Sequence, residues 1–234
     1  MNVFILAAGR GERLRPLTDH HPKPLLAVDG HPVIDHTLER LKRLPIHRII
    51  VNTWHLAEML EDHLTRHPHW RRQIVISRET ELLETGGGIR NALPLLGDGP
   101  CLAINGDILW DFDLEPLVAR FDPAIMDALL LLVANPAGKK GDFTFLDDTP
   151  GPLRRCRAED PQGWTYSGIQ MFTPQTLAGY PIAPFSLNRF FDDALPKKRI
   201  HGILLPGTWS DMGTPATLAA AREHWKFPLQ IGAN

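Results

Sequence analysis

The stretch Leu6-Ala7-Ala8-Gly9-Arg10-Gly11-Glu12-Arg13-Leu14-Arg15-Pro16-Leu17-Thr18 continues directly from the apolar run Val3-Phe4-Ile5. A short aliphatic and aromatic run ending in glycines reads as a buried strand, and Gly9 and Gly11 fall where its end must turn sharply. Two glycines let backbone come close to an anion, and successive N–H groups there form a concave patch of partial positive charge. The loop differs from the commoner phosphate loops. Leu14 stands where a dinucleotide fingerprint has its third glycine, and no Gly-Lys-Ser/Thr ending makes a P-loop. It carries instead Arg10, Arg13 and Arg15, then Pro22-Lys23-Pro24-Leu25. A lysine between two prolines has little backbone freedom, so Lys23 reads as a placed cation.

Outward from this loop, apolar periodicity predicts helices over residues 33–44 and 56–64 and strands over 48–52 and 73–77. Glu84-Thr85-Gly86-Gly87-Gly88 is a second glycine-rich entry, leading into a helix over 89–96, and its glycines suggest close approach of backbone to a ligand. A buried strand over 101–105 ends in Gly106-Asp107, which sets Asp107 at the carboxyl end of a strand, where an open parallel sheet has its ligand crevice. Strands alternating with helices imply parallel pairing through right-handed crossovers. Beyond residue 110, strands are predicted over 129–133, 141–145, 164–172 and 200–205, with helices over 187–195 and 215–225. The expected fold class is α/β: a Rossmann-like doubly wound mixed sheet in a single domain. Residues 1–110 would form its nucleotide-binding half, and a smaller substrate-binding lobe over 111–226 would lie across it.

With 234 residues and a formal charge of −2, the chain has no basic coat of the kind that marks a nucleic-acid surface. Cys101 and Cys156 make neither a disulfide framework nor a metal spacing and are expected as core-packed thiols. No basic leader precedes the first apolar run, and residues 128–134 are far too few to span a bilayer. A soluble, cytoplasmic protein is expected. His63, His67 and His69 lack zinc-ligand spacing and read as a solvated patch. Trp209 is the tryptophan expected near the site, because it stands beside Asp211.

LAAGRGERLRPLT, HPKPLL, ETGGGI, INGD and WSDMGT together resemble the sugar-phosphate nucleotidyltransferases over essentially the whole chain. Within that family the short length, ETGGG, Gly141-Asp142-Phe143 and Tyr166-Ser167-Gly168-Ile169 look most like the uridylyltransferase branch that serves peptidoglycan recycling. The resemblance implies the nucleotidyltransferase fold without a C-terminal β-helix, and UTP and a sugar 1-phosphate, N-acetylmuramate 1-phosphate, as substrates. It implies no nucleic-acid or membrane partner and leaves the oligomeric state open. Guanylyl transfer to mannose 1-phosphate, thymidylyl transfer to glucose 1-phosphate and a non-catalytic nucleotide-sugar sensor are the competing readings, while Leu14 disfavours a dinucleotide oxidoreductase.

The resemblance also implies residue roles. Mg2+ would sit on Asp107 and Asp211. Lys23 would hold the sugar phosphate, and Arg13 with the amides of Gly9 and Gly11 the triphosphate. Ala8 and Asn105 would bind nucleotide, with Glu79, Glu84, Gly86 and Gly87 near the pyrimidine edge. Asp142, Ser167 and Gly168 would face the sugar, with Asn52 in reach. One departure is that many relatives carry a Glu-Lys-Pro whose lysine contacts phosphate, where this chain reads Arg154-Arg155-Cys156-Arg157-Ala158-Glu159-Asp160-Pro161. Either an arginine substitutes or that contact is missing.

Overall fold

Val3 and Ile5 pack into one apolar layer and Phe4 into another, as the two-residue period of a strand requires when both of its faces are covered. A computed structural model describes residues 1–136, 140–147, 149–160 and 163–227. Its first half runs β1 (Asn2–Leu6), β2 (Ala27–Val28), β3 (His31–Pro32), α1 (Val33–Leu41), β4 (Arg48–Thr53), α2 (Ala57–Thr65), β5 (Ile74–Arg78), α3 (Glu84–Leu96) and β6 (Cys101–Asn105). The second half runs β7 (Ile108–Trp110), α4 (Glu115–Arg120), β8 (Ala128–Val133), β9 (Phe143–Phe145), β10 (Gly151–Arg155), β11 (Thr165–Phe172), α5 (Leu187–Ala194), β12 (Ile200–Leu204), β13 (Trp209–Asp211) and α6 (Pro215–His224).

Nine strands form one sheet in the order β5-β4-β1-β6-β11-β8-β12-β10-β9. The first four are parallel, and β11 joins antiparallel to both β6 and β8. Helices α1 and α2 cover one face through Ile34, Leu38, Leu41, Leu60 and Leu64. Helices α3 and α5 cover the other through Ile89, Ala92, Leu96, Phe190 and Phe191. Burying a side chain of this size contributes about 1.5–3 kcal/mol, so the layers hold the strand ends rigidly. No described helix is long and apolar enough to cross a membrane.

Three expectations need correction. The second-half strands extend the first sheet edge to edge instead of lying across it, because β11 pairs with β6 along Ile169 to Phe172. Helix α1 ends at Leu41 and gives way to tight turns, with Lys42 N–H donating to the Glu39 carbonyl at 3.2 Å. The glycines of Glu84-Thr85-Gly86-Gly87-Gly88 are not a loop before a helix. They are the first turns of α3 itself.

Candidate active site

Level strand ends build the site. Leu6 pairs with Asn52 of β4 and with Asn105 of β6, so three chains leave the sheet side by side. Strand order reverses at β1, with β4 and β5 to one side and β6 to the other, and a doubly wound sheet opens its crevice at such a switch point. A cleft of about 380 Å³ lies there. It is lined by Leu6 to Gly9 and Asn105 to Asp107 from the strand ends, and by Lys23, Pro24, Asn52, Leu82, Glu84, Thr85 and Ser186.

The long loop after β1 is folded back into this cleft. Gly11 has φ +64°, and a Cβ there would come within 2.8 Å of Thr18 Cγ2, so glycine is needed for both conformation and space. The Thr18 hydroxyl donates to the Gly11 carbonyl at 2.9 Å and closes the loop. Lys23 then begins a single turn of 3-10 helix, where Leu25 N–H donates to the Pro22 carbonyl at 2.8 Å. Its side chain is buried and its ammonium is ion-paired with Asp107.

Asp107 and Asp211 are brought together by an element that periodicity did not reveal, the short β7–β13 ladder. Ile108 faces Asp211 across it, and Met212 N–H donates to the Asp107 carbonyl at 2.8 Å. The Asp211 carboxylate accepts from Gly213 N–H at 2.9 Å and from the Thr217 hydroxyl at 3.4 Å. Arg13 arrives at the same place, since the point a Cβ on Gly213 would occupy is 2.9 Å from both Arg13 Nη2 and Asp211 Oδ1. Beneath these charges lies a separate small core that includes Leu14, Leu26, Leu109 and Met212 with Leu218 and Ala221 of α6. Leu14, Leu26, Leu109 and Met212 lie within three positions of Arg13, Lys23, Asp107 and Asp211 respectively. One apolar cluster therefore sets the mutual position of all four.

Asp107 lines the cleft and Asp211 stands beside it on the β7–β13 ladder, and two carboxylates so placed are a hard-oxygen pair of the kind Mg2+ accepts while keeping water and phosphate oxygens in its other positions. The residues present fit that ion, and among the described residues no group of three or more His, Cys, Asp or Glu offers a fuller cage.

Of the remaining candidates, Ala8, Gly9, Glu84 and Asn105 line the cleft. Glu79 does not present a carboxylate to it. The group is buried, and its oxygens accept from Asn52 Nδ2 at 2.7 Å and Leu83 N–H at 3.0 Å. Burial pushes its pKa up, against the pull of these two bonds. Gly86 and Gly87 serve packing against protein: both amides donate to the Phe185 carbonyl, at 2.9 and 3.2 Å. A Cβ at Gly86 would fall 2.3 Å from the Phe185 ring, and one at Gly87 2.3 Å from the Ala183 carbonyl oxygen. The close approach inferred from the glycines is real, but the neighbouring backbone is residues 183–185.

Ser167 is buried, and its hydroxyl donates to the Leu131 carbonyl at 2.8 Å. Gly168, at φ +85° in a bulge of β11, lies against the Asn105 amide, 2.7 Å from the position of a Cβ. Trp209 is tied to the same strand, its indole N–H donating to the Ser167 carbonyl at 2.8 Å. Asp142 is exposed and accepts from Tyr166 N–H at 2.9 Å. Asn52, weighed as a sugar contact, spends its amide on Ala7 N–H (2.7 Å) and on Glu79.

The three loop arginines separate. Arg10 lies 4.7 Å from the Trp54 ring centroid, and Arg15 pairs with Asp19. Arg154 is held by Asp160 and Arg155 by Asp192 at 2.7 Å, so both are committed elsewhere; Pro161 lies outside the described residues. Cys101 is buried and Cys156 only half-buried, and both are free thiols. His63 is less solvated than expected, because its ring pairs with Asp35 at 2.7 Å. Thr85 and Ser186 are cleft residues that sequence reasoning missed. Ser186 is readable as the N-cap of α5, where its hydroxyl accepts from Asn188 N–H at 3.3 Å. Its place in the cleft wall depends on Thr85, whose hydroxyl accepts from Leu187 N–H at 2.9 Å.

Residues 2–144 match the nucleotidyl transferase family. The chain is 38% identical over 227 residues to the N-acetylmuramate alpha-1-phosphate uridylyltransferase of Neisseria meningitidis serogroup B, covering 95% of this chain and 97% of that one. It is 35% identical to the protein of that name in Caulobacter vibrioides, covering 94% of each. Among solved structures, HddC of Yersinia pseudotuberculosis complexed with GMP-PN superposes with a TM-score of 0.79 at 25% identity, over 96% of this chain and 99% of that one.

Proposed function

The chain belongs to the nucleotidyl transferase family, and within it we propose that this protein transfers UMP from UTP to N-acetylmuramate 1-phosphate. The products are UDP-N-acetylmuramate and pyrophosphate, in the reuse of cell-wall sugar. The reaction type is supported above all by one observation, the meeting of Lys23 with Asp107 in the lining of the switch-point cleft. The choice of base and sugar rests on the two relatives that carry that activity in their names.

A sugar 1-phosphate has a second pKa of about 6 and is mostly dianionic at neutral pH, so no general base is needed to make it a nucleophile. The task is to bring it in line with the α-phosphate of a triphosphate against the repulsion of two anions. Lys23 holds the acceptor phosphate. Arg13 and the amides of Gly9 and Gly11 take the triphosphate and stabilise the charge that develops on departing pyrophosphate. Ala8, Asn105 and Glu84 line the nucleotide side, while Gly168 and Asp142 lie towards the sugar. Asp107 and Asp211 would hold Mg2+, which when bound neutralises phosphate charge.

Pyrophosphate release measured with UTP, GTP and dTTP against N-acetylmuramate, mannose and glucose 1-phosphates tests the reading. The fastest turnover is expected for UTP with N-acetylmuramate 1-phosphate. A preference for GTP with mannose 1-phosphate, or no turnover with any pair, overturns it.

A further inference from the structure

The carboxyl ends of β1, β4 and β5 are tied to the start of α3 by one buried chain of hydrogen bonds. Ala7 N–H donates to Asn52 Oδ1 at 2.7 Å, Asn52 Nδ2 donates to Glu79 Oε1 at 2.7 Å, and Leu83 N–H donates to Glu79 Oε2 at 3.0 Å. Asn52 and Glu79 are 2% and 5% exposed. Gly88 completes the arrangement from the helix side: a Cβ there would lie 2.7 Å from Asn52 Nδ2 and 2.8 Å from Glu79 Oε1. A buried donor or acceptor left without its partner is costly, so this chain has one stable setting. The two segments it connects, Leu6 to Gly9 after β1 and Leu82 to Thr85 at the start of α3, both contribute residues to the lining of the cleft.

We propose that Asn52 and Glu79 are a positioning pair which sets the spacing of these two segments and thereby the affinity of the cleft for the nucleoside triphosphate. The inference rests on the reading of this cleft as the triphosphate site. Neither residue takes part in the chemistry. Each acts through backbone it holds, Asn52 on Ala7 and Glu79 on Leu83.

Hydrogen-bond polarity makes the pair testable. In Glu79→Gln the new amide, while still accepting from Asn52, turns its NH2 towards Leu83 N–H, donor against donor. In Asn52→Asp two carboxylates face each other in a buried place. The double variant Asn52→Asp/Glu79→Gln reverses the polarity of the central bond. The carboxylate introduced at position 52 accepts from Ala7 N–H and from the amide introduced at position 79, and the oxygen of that amide accepts from Leu83 N–H. Every bond is restored with the same total charge. Each single variant should raise KM for UTP about tenfold, move kcat and KM for the sugar phosphate far less, and speed hydrogen exchange at the Ala7 amide. The double variant should return all of these to within about twofold of the parent. Should a single variant fail to fold, Gly88→Ala perturbs the same pair from α3 and should show the same KM shift and the same faster exchange. Exchange at Ala7 is read without substrate, so it stands even if another triphosphate proves preferred, and KM is then measured with that one. A double variant no better than the worse single, or Ala7 exchange unmoved in the folded variants, overturns the proposal.

Discussion

Lys23 and Asp107, 84 positions apart, form an ion pair in the lining of the cleft, with the lysine buried and the carboxylate about one-third exposed. Each side chain is thus held in place before any ligand arrives. A group fixed in this way supplies its charge without reorganising during the reaction.

Replacing either member should therefore stop the chemistry while sparing the fold. Asp107→Asn removes charge at constant volume, and Lys23→Ala removes the only cation among the described residues that line the cleft. Each is expected to lower kcat by about 10²-fold or more, with melting temperature within a few degrees of the parent. Pyrophosphate release in the presence of Mg2+ checks this, and near-normal turnover of Asp107→Asn would remove Asp107 from the proposed metal site.

Gly213 carries a second prediction. A methyl group there would press on both Arg13 and Asp211, each 2.9 Å from its position. Because Arg13 is exposed and can move aside, Gly213→Ala should be well folded yet lose about 10- to 100-fold in kcat/KM, since a misplacement of about an ångström can cost up to about 10²-fold. Steady-state kinetics beside a thermal melt separate the two effects.

Gly86→Ala should do the reverse and strike stability first. Its Cβ would fall 2.3 Å from the Phe185 ring, where α3 is docked on residues 183–185. Overpacking of this kind costs about 1–3 kcal/mol, and urea unfolding should show the loss. An unchanged midpoint would mean that the segment yields freely.

His63 pairs with Asp35 across α1 and α2 at 2.7 Å, and this hydrogen bond raises the imidazole pKa above its ordinary value. A raised folded-state pKa gives stability that is complete below the unfolded value near 6.5 and is lost as pH rises through the folded one. His67 nearby is pushed the opposite way by burial, so the effect is isolated by difference. His63→Gln should melt below the parent at pH 5.5, and the gap should narrow by pH 8.5. A gap that is constant over this range would show that the pair is not charged.

The order of strands and helices in the first half could be read from the sequence because each element there buries a regular face. Val3-Phe4-Ile5, Ile34-Leu38-Leu41 and Ile49-Ile50-Val51 all lie in the core with their expected periods. The β7–β13 ladder could not be read. Three-residue strands carry too little pattern to stand out, and the small core that Leu109 of the ladder and the adjoining Met212 share with Leu14 and Leu26 is gathered from distant parts of the sequence.

What the sequence by itself determined was chemical: a glycine turn after a buried strand, a lysine held between prolines, and aspartates that each close an apolar run. These follow from local backbone freedom and hydrophobic period, which a few neighbouring residues dictate. Tertiary structure alone decided which polar groups reach the cleft. The family resemblance implies Glu79, Gly86 and Gly87 as ligand contacts, and nothing in the linear chain points to Thr85 or Ser186. Their places were settled by packing, because a buried carboxylate must find donors and a helix without Cβ atoms will be approached by whatever backbone lies next to it. Asn52 and residues 183–185 happened to be those neighbours.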